Sequence, residues 1–114
     1  MLDRTIEIGL LFDYYGQLLT ERQQKAISLY FYEDLSLGEI AERLEISRQG
    51  VYDHLHRGEK LLRKYEQKLG LIEKEQSIVD NLDRLEDYIR EHITISPEQS
   101  DELKERIARI KSIL

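Results

Sequence analysis

The 114-residue chain contains no cysteine and only one proline, Pro97. A disulfide framework, a thiolate zinc site and a cysteine nucleophile are therefore excluded, and a reducing compartment suits the composition. Only six glycines occur and there is no low-complexity run, so collagen-like, mucin-like and broadly disordered chains are excluded as well. Long apolar runs are also missing: none reaches the roughly 18 residues of a membrane span. The first twenty residues carry Asp3, Glu7 and Asp13 where a secretion signal needs an apolar block. The expectation is a cytoplasmic protein without membrane insertion. Hydrophobic residues make up 40% of the chain and charged residues 35%, which is enough for a real core under a heavily charged surface.

The net charge of −6 is an awkward sign for a nucleic-acid binder, so its distribution matters more than its sum. Residues 1–35 carry −3, residues 36–69 carry +1 and residues 70–114 carry −4. Within 48–64, Arg48, Arg57, Lys60, Arg63 and Lys64 stand against Asp53 and Glu59, a local excess of three positive charges between acidic flanks.

Helical spacing recurs along the chain and strand-like alternation does not. Leu2, Ile6, Leu10 and Tyr14 predict a first helix over 3–15, stopped near Gly16. Thr20-Glu-Arg-Gln23 is a capping box opening a helix to about Tyr32. Ser36-Leu-Gly-Glu39 is a second box, opening a short helix to about Leu44. After a turn at Glu45-Ile46, Ser47 can cap a further helix from Arg48 to Gly70, with Val51, Leu55, Leu62, Tyr65 and Leu69 on one stripe. Gly58 falls on that stripe, which implies close backbone approach. Two more stripes follow, Ile78, Leu82, Leu85 and Ile89, then Leu103, Ile107, Ile110 and Leu114. Between them Ser96-Pro97-Glu98-Gln99 is a strong helix start. These predict an antiparallel hairpin, roughly 73–92 and 97–114, with faces too apolar to stand alone in water. The chain thus reads as all-α, with a helical domain over 1–70 and a packing or dimerisation arm over 71–114.

The informative stretch is 36–57, two short capped helices separated by a tight turn. Ile40, Leu44, Ile46, Val51 and Leu55 can form the internal core of a helix-turn-helix, with Ala41 small enough for the helices to cross. Residues 18–63, and most specifically Leu35-Ser-Leu-Gly-Glu-Ile-Ala-Glu-Arg-Leu-Glu-Ile-Ser-Arg48, resemble region four of bacterial sigma factors and related response-regulator domains. The length, the start Leu11-Phe12-Asp13-Tyr14-Tyr15-Gly16 and the acidic helical tail look like the YlxM family of small helix-turn-helix proteins. That resemblance implies a sigma region four-like bundle of the winged-helix-superfamily type with an added C-terminal hairpin. It also implies a regulatory role in the signal recognition particle pathway.

Carried onto this chain, the sigma pattern puts Arg48, Gln49, Tyr52 and Asp53 at the base-facing start of the second helix. Ser47, His56, Arg57, Lys60, Arg63 and Lys64 fall where phosphate contacts belong. The bland alternative for the basic residues is a solvated face paired with Glu59 and Glu66. Asp53 can accept from a cytosine amino group but repels a nearby phosphate. His54 and His56 point about 200° apart on a helix and cannot share a metal ion. Seven tyrosines against two phenylalanines include Tyr30, Phe31 and Tyr32, read as core or half-core aromatics rather than a stacking platform. No glycine-rich phosphate loop, nucleophile elbow or His-Glu-x-x-His pattern occurs, so neither an enzyme nor a cofactor is expected.

One reading helix with so little local charge cannot hold DNA unaided at physiological salt. The expectation is therefore a double-stranded DNA-binding regulator working as a homodimer. Ile78, Leu82, Leu85, Ile89, Leu103, Ile107, Ile110 and Leu114 are its candidate contacts, or else they complete a monomer core. The rival expectations are a protein-interaction adaptor docking the targeting GTPase, and an RNA-binding accessory of the signal recognition particle.

Overall fold

A computed structural model describes residues 2–114, with side chains from Arg4 onward. Its described residues fold into six α-helices and no strand. Helix α1 spans Leu2–Tyr15. Its buried face is Ile8, Leu11 and Tyr15, not the stripe of Leu2, Ile6, Leu10 and Tyr14. Ile6 is 63% exposed, Leu10 is exposed and Tyr14 half-buried, and the side chain of Leu2 lies outside the described residues. The reason is geometric. Each four-residue step overshoots a turn by about 40°, so a strict four-residue set walks round the cylinder, whereas a 3-4 spacing keeps one face.

Gly16–Leu18 form a single 3₁₀ turn that delivers the buried Leu19. Thr20 then caps α2, Glu21–Ile27, by the expected box: its side chain accepts from the Gln23 amide while Gln23 accepts from the Thr20 amide. The helix does not run on regularly to Tyr32. Residues Ser28–Tyr32 wind instead as a π-helical turn.

Ser36 and Glu39 close the second capping box at the start of α3, Leu37–Leu44. α3 ends in a left-handed residue, Glu45 at φ 59°, and the Ile46 amide returns to the Ala41 carbonyl at 3.1 Å. This is a Schellman ending, whose left-handed position usually holds glycine. Arg22 of α2 donates to the Leu44 carbonyl at 3.0 Å, so the turn is also tied to the preceding helix.

Helix α4 spans Arg48–Leu69 and closes on Gly70 at φ 61°, as expected. Leu29, Ile40, Ala41 and Val51 form a buried cluster at the helix-turn-helix, with Leu35, Leu37, Leu44, Ile46 and Leu55 packed around it. Gly58 marks the crossing of α2 and α4, where a Cβ would lie 2.8 Å from Ile27 Cδ1. Leu62 is fully buried further along the same stripe, whereas Leu69 at its end is exposed. The Tyr15 hydroxyl, itself buried, donates to Glu66 and accepts from the Leu71 amide at 3.2 Å, holding α1 to the end of α4.

The chain divides into two compact units, 1–71 and 72–114. The second is a hairpin of α5, Leu71–His92, and α6, Pro97–Ile113, the latter opened by the Ser96–Gln99 capping box. Its helices run antiparallel, bridged by Arg90 to Ser100 Oγ at 2.8 Å and by Lys111 to Asp83 at 2.7 Å. Of its stripe residues, Ile107 is buried and Ile78, Leu82, Ile89 and Leu103 are half-buried. Leu85, Ile110 and Leu114 remain exposed.

Candidate nucleic-acid interface

Ser47 begins the reading helix by accepting from the Gly50 amide at 3.0 Å. Its oxygen is thereby committed to the cap, and only its hydroxyl proton is left for a phosphate. At about 100° per residue, Val51, Gly58 and Leu62 face the core. The diametrically opposite face carries Gln49, Asp53, Arg57, Lys60 and Lys64, all exposed.

The two ends of this outward face differ chemically. Near the helix start, the Gln49 amide donates to Asp53 at 3.1 Å, leaving a polar tip with donors and acceptors suited to base edges. Farther along, Arg57, Lys60 and Lys64 enter no ion pair among the described residues. Their suggested partners are occupied elsewhere, since Glu66 accepts from Tyr15 and Glu59 pairs with Arg4 at 2.7 Å and with Arg63 at 3.3 Å. Among the described residues, Arg63 alone of the four basic residues open to that solvated pairing takes one of the two partners, Glu59.

Arg63 departs from its expected place. It lies about 100° round the helix from Lys64 and points toward α1, where Glu7 and Glu59 share its guanidinium. Burial pushes the Glu59 carboxyl up, but hydrogen bonds and charge from Arg4 and Arg63 outweigh it and hold Glu59 below the ordinary range. The hydrogen bond that Arg63 donates to Glu7 leads the effects that raise its pKa. Arg63 thus clamps α1 to α4 instead of standing free beside Lys60. The pairing with Glu59, one turn away, is among the alternatives open from the sequence, whereas the pairing with Glu7 is not legible there, because Glu7 lies 56 positions away.

Arg48 also behaves differently from its neighbours. Its guanidinium lies over Gly38, where an added Cβ would come within 2.8 Å of it. Tyr52 and His56 turn to the α1 side of the outward stripe and stack with rings 5.8 Å apart and nearly parallel. Apart from the capping Ser47, the base-facing and phosphate-facing sets therefore resolve into three groups. Gln49, Asp53, Arg57, Lys60 and Lys64 share one face, Tyr52, His56 and Arg63 lie to its side, and Arg48 folds back on α3.

No helix among the described residues is long and apolar enough to cross a membrane. Residues 2–106 match the model of a family described as "Putative helix-turn-helix protein, YlxM / p13 like". A UPF0122 protein of Listeria innocua is 39% identical over 113 residues, covering 99% of each chain. Another, from Halalkalibacterium halodurans, is 46% identical over 94 residues, covering 82% of this chain and 86% of its own. A third, from Desulforamulus reducens, is 46% identical over 112 residues, covering 95% of this chain and 87% of its own. The capped α3–turn–α4 unit and these relatives together place the chain in the UPF0122 helix-turn-helix family.

Proposed function

We propose that the protein is a double-stranded DNA-binding regulator, without enzymatic activity, that inserts the start of α4 into the major groove. The observation that carries this reading is the outward face of α4, where a polar tip at Gln49 and Asp53 is continued by three cations that enter no ion pair among the described residues. The tip supplies groups that read base edges, and Arg57, Lys60 and Lys64 supply the phosphate contacts that set register. Three such contacts give weak, salt-sensitive binding, so the working form is a homodimer whose two reading helices lie about 34 Å apart. The exposed Leu85, Ile110 and Leu114 are its contact residues. In this reading the protein acts in the cytoplasm and regulates the signal recognition particle pathway, a role supported by the YlxM resemblance alone.

A second reading draws on the carboxylate of Asp53 at the tip and on the net charge of −6, both unfavourable to a polyanion. Here the helix-turn-helix docks a protein of the targeting machinery, or its RNA, and no duplex is selected. Selection of bound fragments from genomic DNA by the full chain separates the two. The regulator enriches particular duplexes, and Arg57→Ala weakens all of them. Recovery of no duplex at low salt, with capture of the targeting GTPase or its RNA, overturns it.

A further inference from the structure

Beside the outward face of α4 lies a cleft of about 270 Å³, walled by α1, the π-helical turn, α3 and α4. Four of its lining groups are aromatic rings: Tyr30 and Phe31 from the π-turn, Tyr52 and His56 from the reading helix. Leu37 and Leu55 supply the apolar part, and Arg4 paired with Glu59 closes one end. The rings meet in pairs, Tyr30 against Phe31 edge to face at 5.0 Å and Tyr52 parallel to His56.

The π-turn contributes two of the four rings, Tyr30 and Phe31. In a regular helix, consecutive side chains diverge by about 100°, whereas here the widened turn brings both Tyr30 and Phe31 to one opening. Such turns are rare and are frequent at functional sites. Half-exposed aromatic walls with no apolar group covering them suit a flat ring that is itself partly polar. The charged end admits no net ionic ligand group, because Glu59 is compensated by Arg4 and Arg63, and Arg63 in turn by Glu7. Arg4 places two of its five N–H donors on Glu59, and among the described residues the others are open to a ring nitrogen or carbonyl.

We propose that this cleft binds one uncharged heteroaromatic ring of nucleobase size, stacked against the Tyr52–His56 pair. The ring can come free, as a nucleoside, or as an unpaired base of a strand held by α4. The second source rests on the DNA-binding reading above; the first does not.

The test uses 2-aminopurine, whose fluorescence falls on stacking. The full chain is titrated against 2-aminopurine riboside, against a duplex with one bulged 2-aminopurine, and against the same duplex without the bulge. The expected result is quenching of the riboside, of the bulged base, or of both. The Tyr30→Leu variant, altered across the cleft from the reading helix, weakens the quenched complex about tenfold, within the range of one base–aromatic stack. Its affinity for the unbulged duplex is unchanged. Quenching of the riboside identifies a free ligand, and preference for the bulged duplex identifies a strand-borne base. No quenching of either probe overturns the inference, as does quenching that Tyr30→Leu and Tyr52→Leu both leave intact. Failure to bind the unbulged duplex overturns the DNA-binding reading instead, and the riboside titration still decides the cleft.

Discussion

Gly58 offers a sharp test of how the reading helix is held. A methyl group at this position would come 2.8 Å from Ile27 Cδ1, roughly 0.7 Å or more inside the optimal carbon–carbon separation. Ile27 is fully buried, so its terminal carbon cannot swing aside without striking its neighbours. Overpacking of this kind costs about 2 kcal/mol, while replacing glycine by alanine in a helix interior returns about 1 kcal/mol. Gly58→Ala should therefore destabilise by about 1 kcal/mol, although propensity alone would make it stabilising. Ile27→Val removes Cδ1 and by itself costs about 1 kcal/mol. In the double variant the remaining neighbours, Gln23 Cβ and Ile27 Cγ1, both lie at 3.6 Å, an ordinary contact. The added methyl then fills the space left by Cδ1, and the double variant should match the wild type to within about 0.5 kcal/mol. Urea denaturation followed by far-UV circular dichroism measures the cycle. Strict additivity, or a Gly58→Ala variant more stable than the wild type, would refute the close crossing of α2 and α4.

Other consequences are simpler to measure. Glu45→Gly should stabilise the chain by about 1 kcal/mol, because the left-handed end of α3 strains any side chain, and a thermal melt will show the gain. Tyr15→Phe removes the hydroxyl shared by Glu66 and the Leu71 amide and should cost about 1–2 kcal/mol in the same assay. Glu59 is held below its ordinary value of 4.5, so its contribution to stability is present above that value and is lost as pH falls through the lower, folded one. Stability measured below pH 4.5 should therefore fall more steeply in the wild type than in Glu59→Gln.

Local signals in the sequence translated directly into structure. Each of the three capping boxes, at Thr20, Ser36 and Ser96, forms as its spacing implies, since the partners lie within one turn of each other. Gly70 adopts the left-handed cap, and Gly58 lies at a helix crossing for the reason its stripe position suggested. Features set by distant partners were not legible. Which face α1 buries depends on α4 and the π-turn, and the four-residue spacing that marked the helix did not single that face out. Arg63 looked like its neighbours Lys60 and Lys64 because Glu7, which captures it, lies on another helix. The π-turn at Ser28–Tyr32 leaves no compositional mark, so Tyr30 and Phe31 read as core or half-core aromatics, and the cleft they line stayed hidden.

The claim that the outward stripe of α4 meets the phosphates of a duplex is tested most directly by the salt dependence of duplex binding. Each phosphate contact contributes about 0.9 to the slope of log affinity against log salt. Alanine at Arg57, Lys60 or Lys64 should flatten the slope by about that amount apiece. Alanine at Arg63, already engaged by Glu7 and Glu59, should flatten it by well under half as much. A slope that ignores the three stripe cations, or one that Arg63→Ala alone abolishes, would contradict the account.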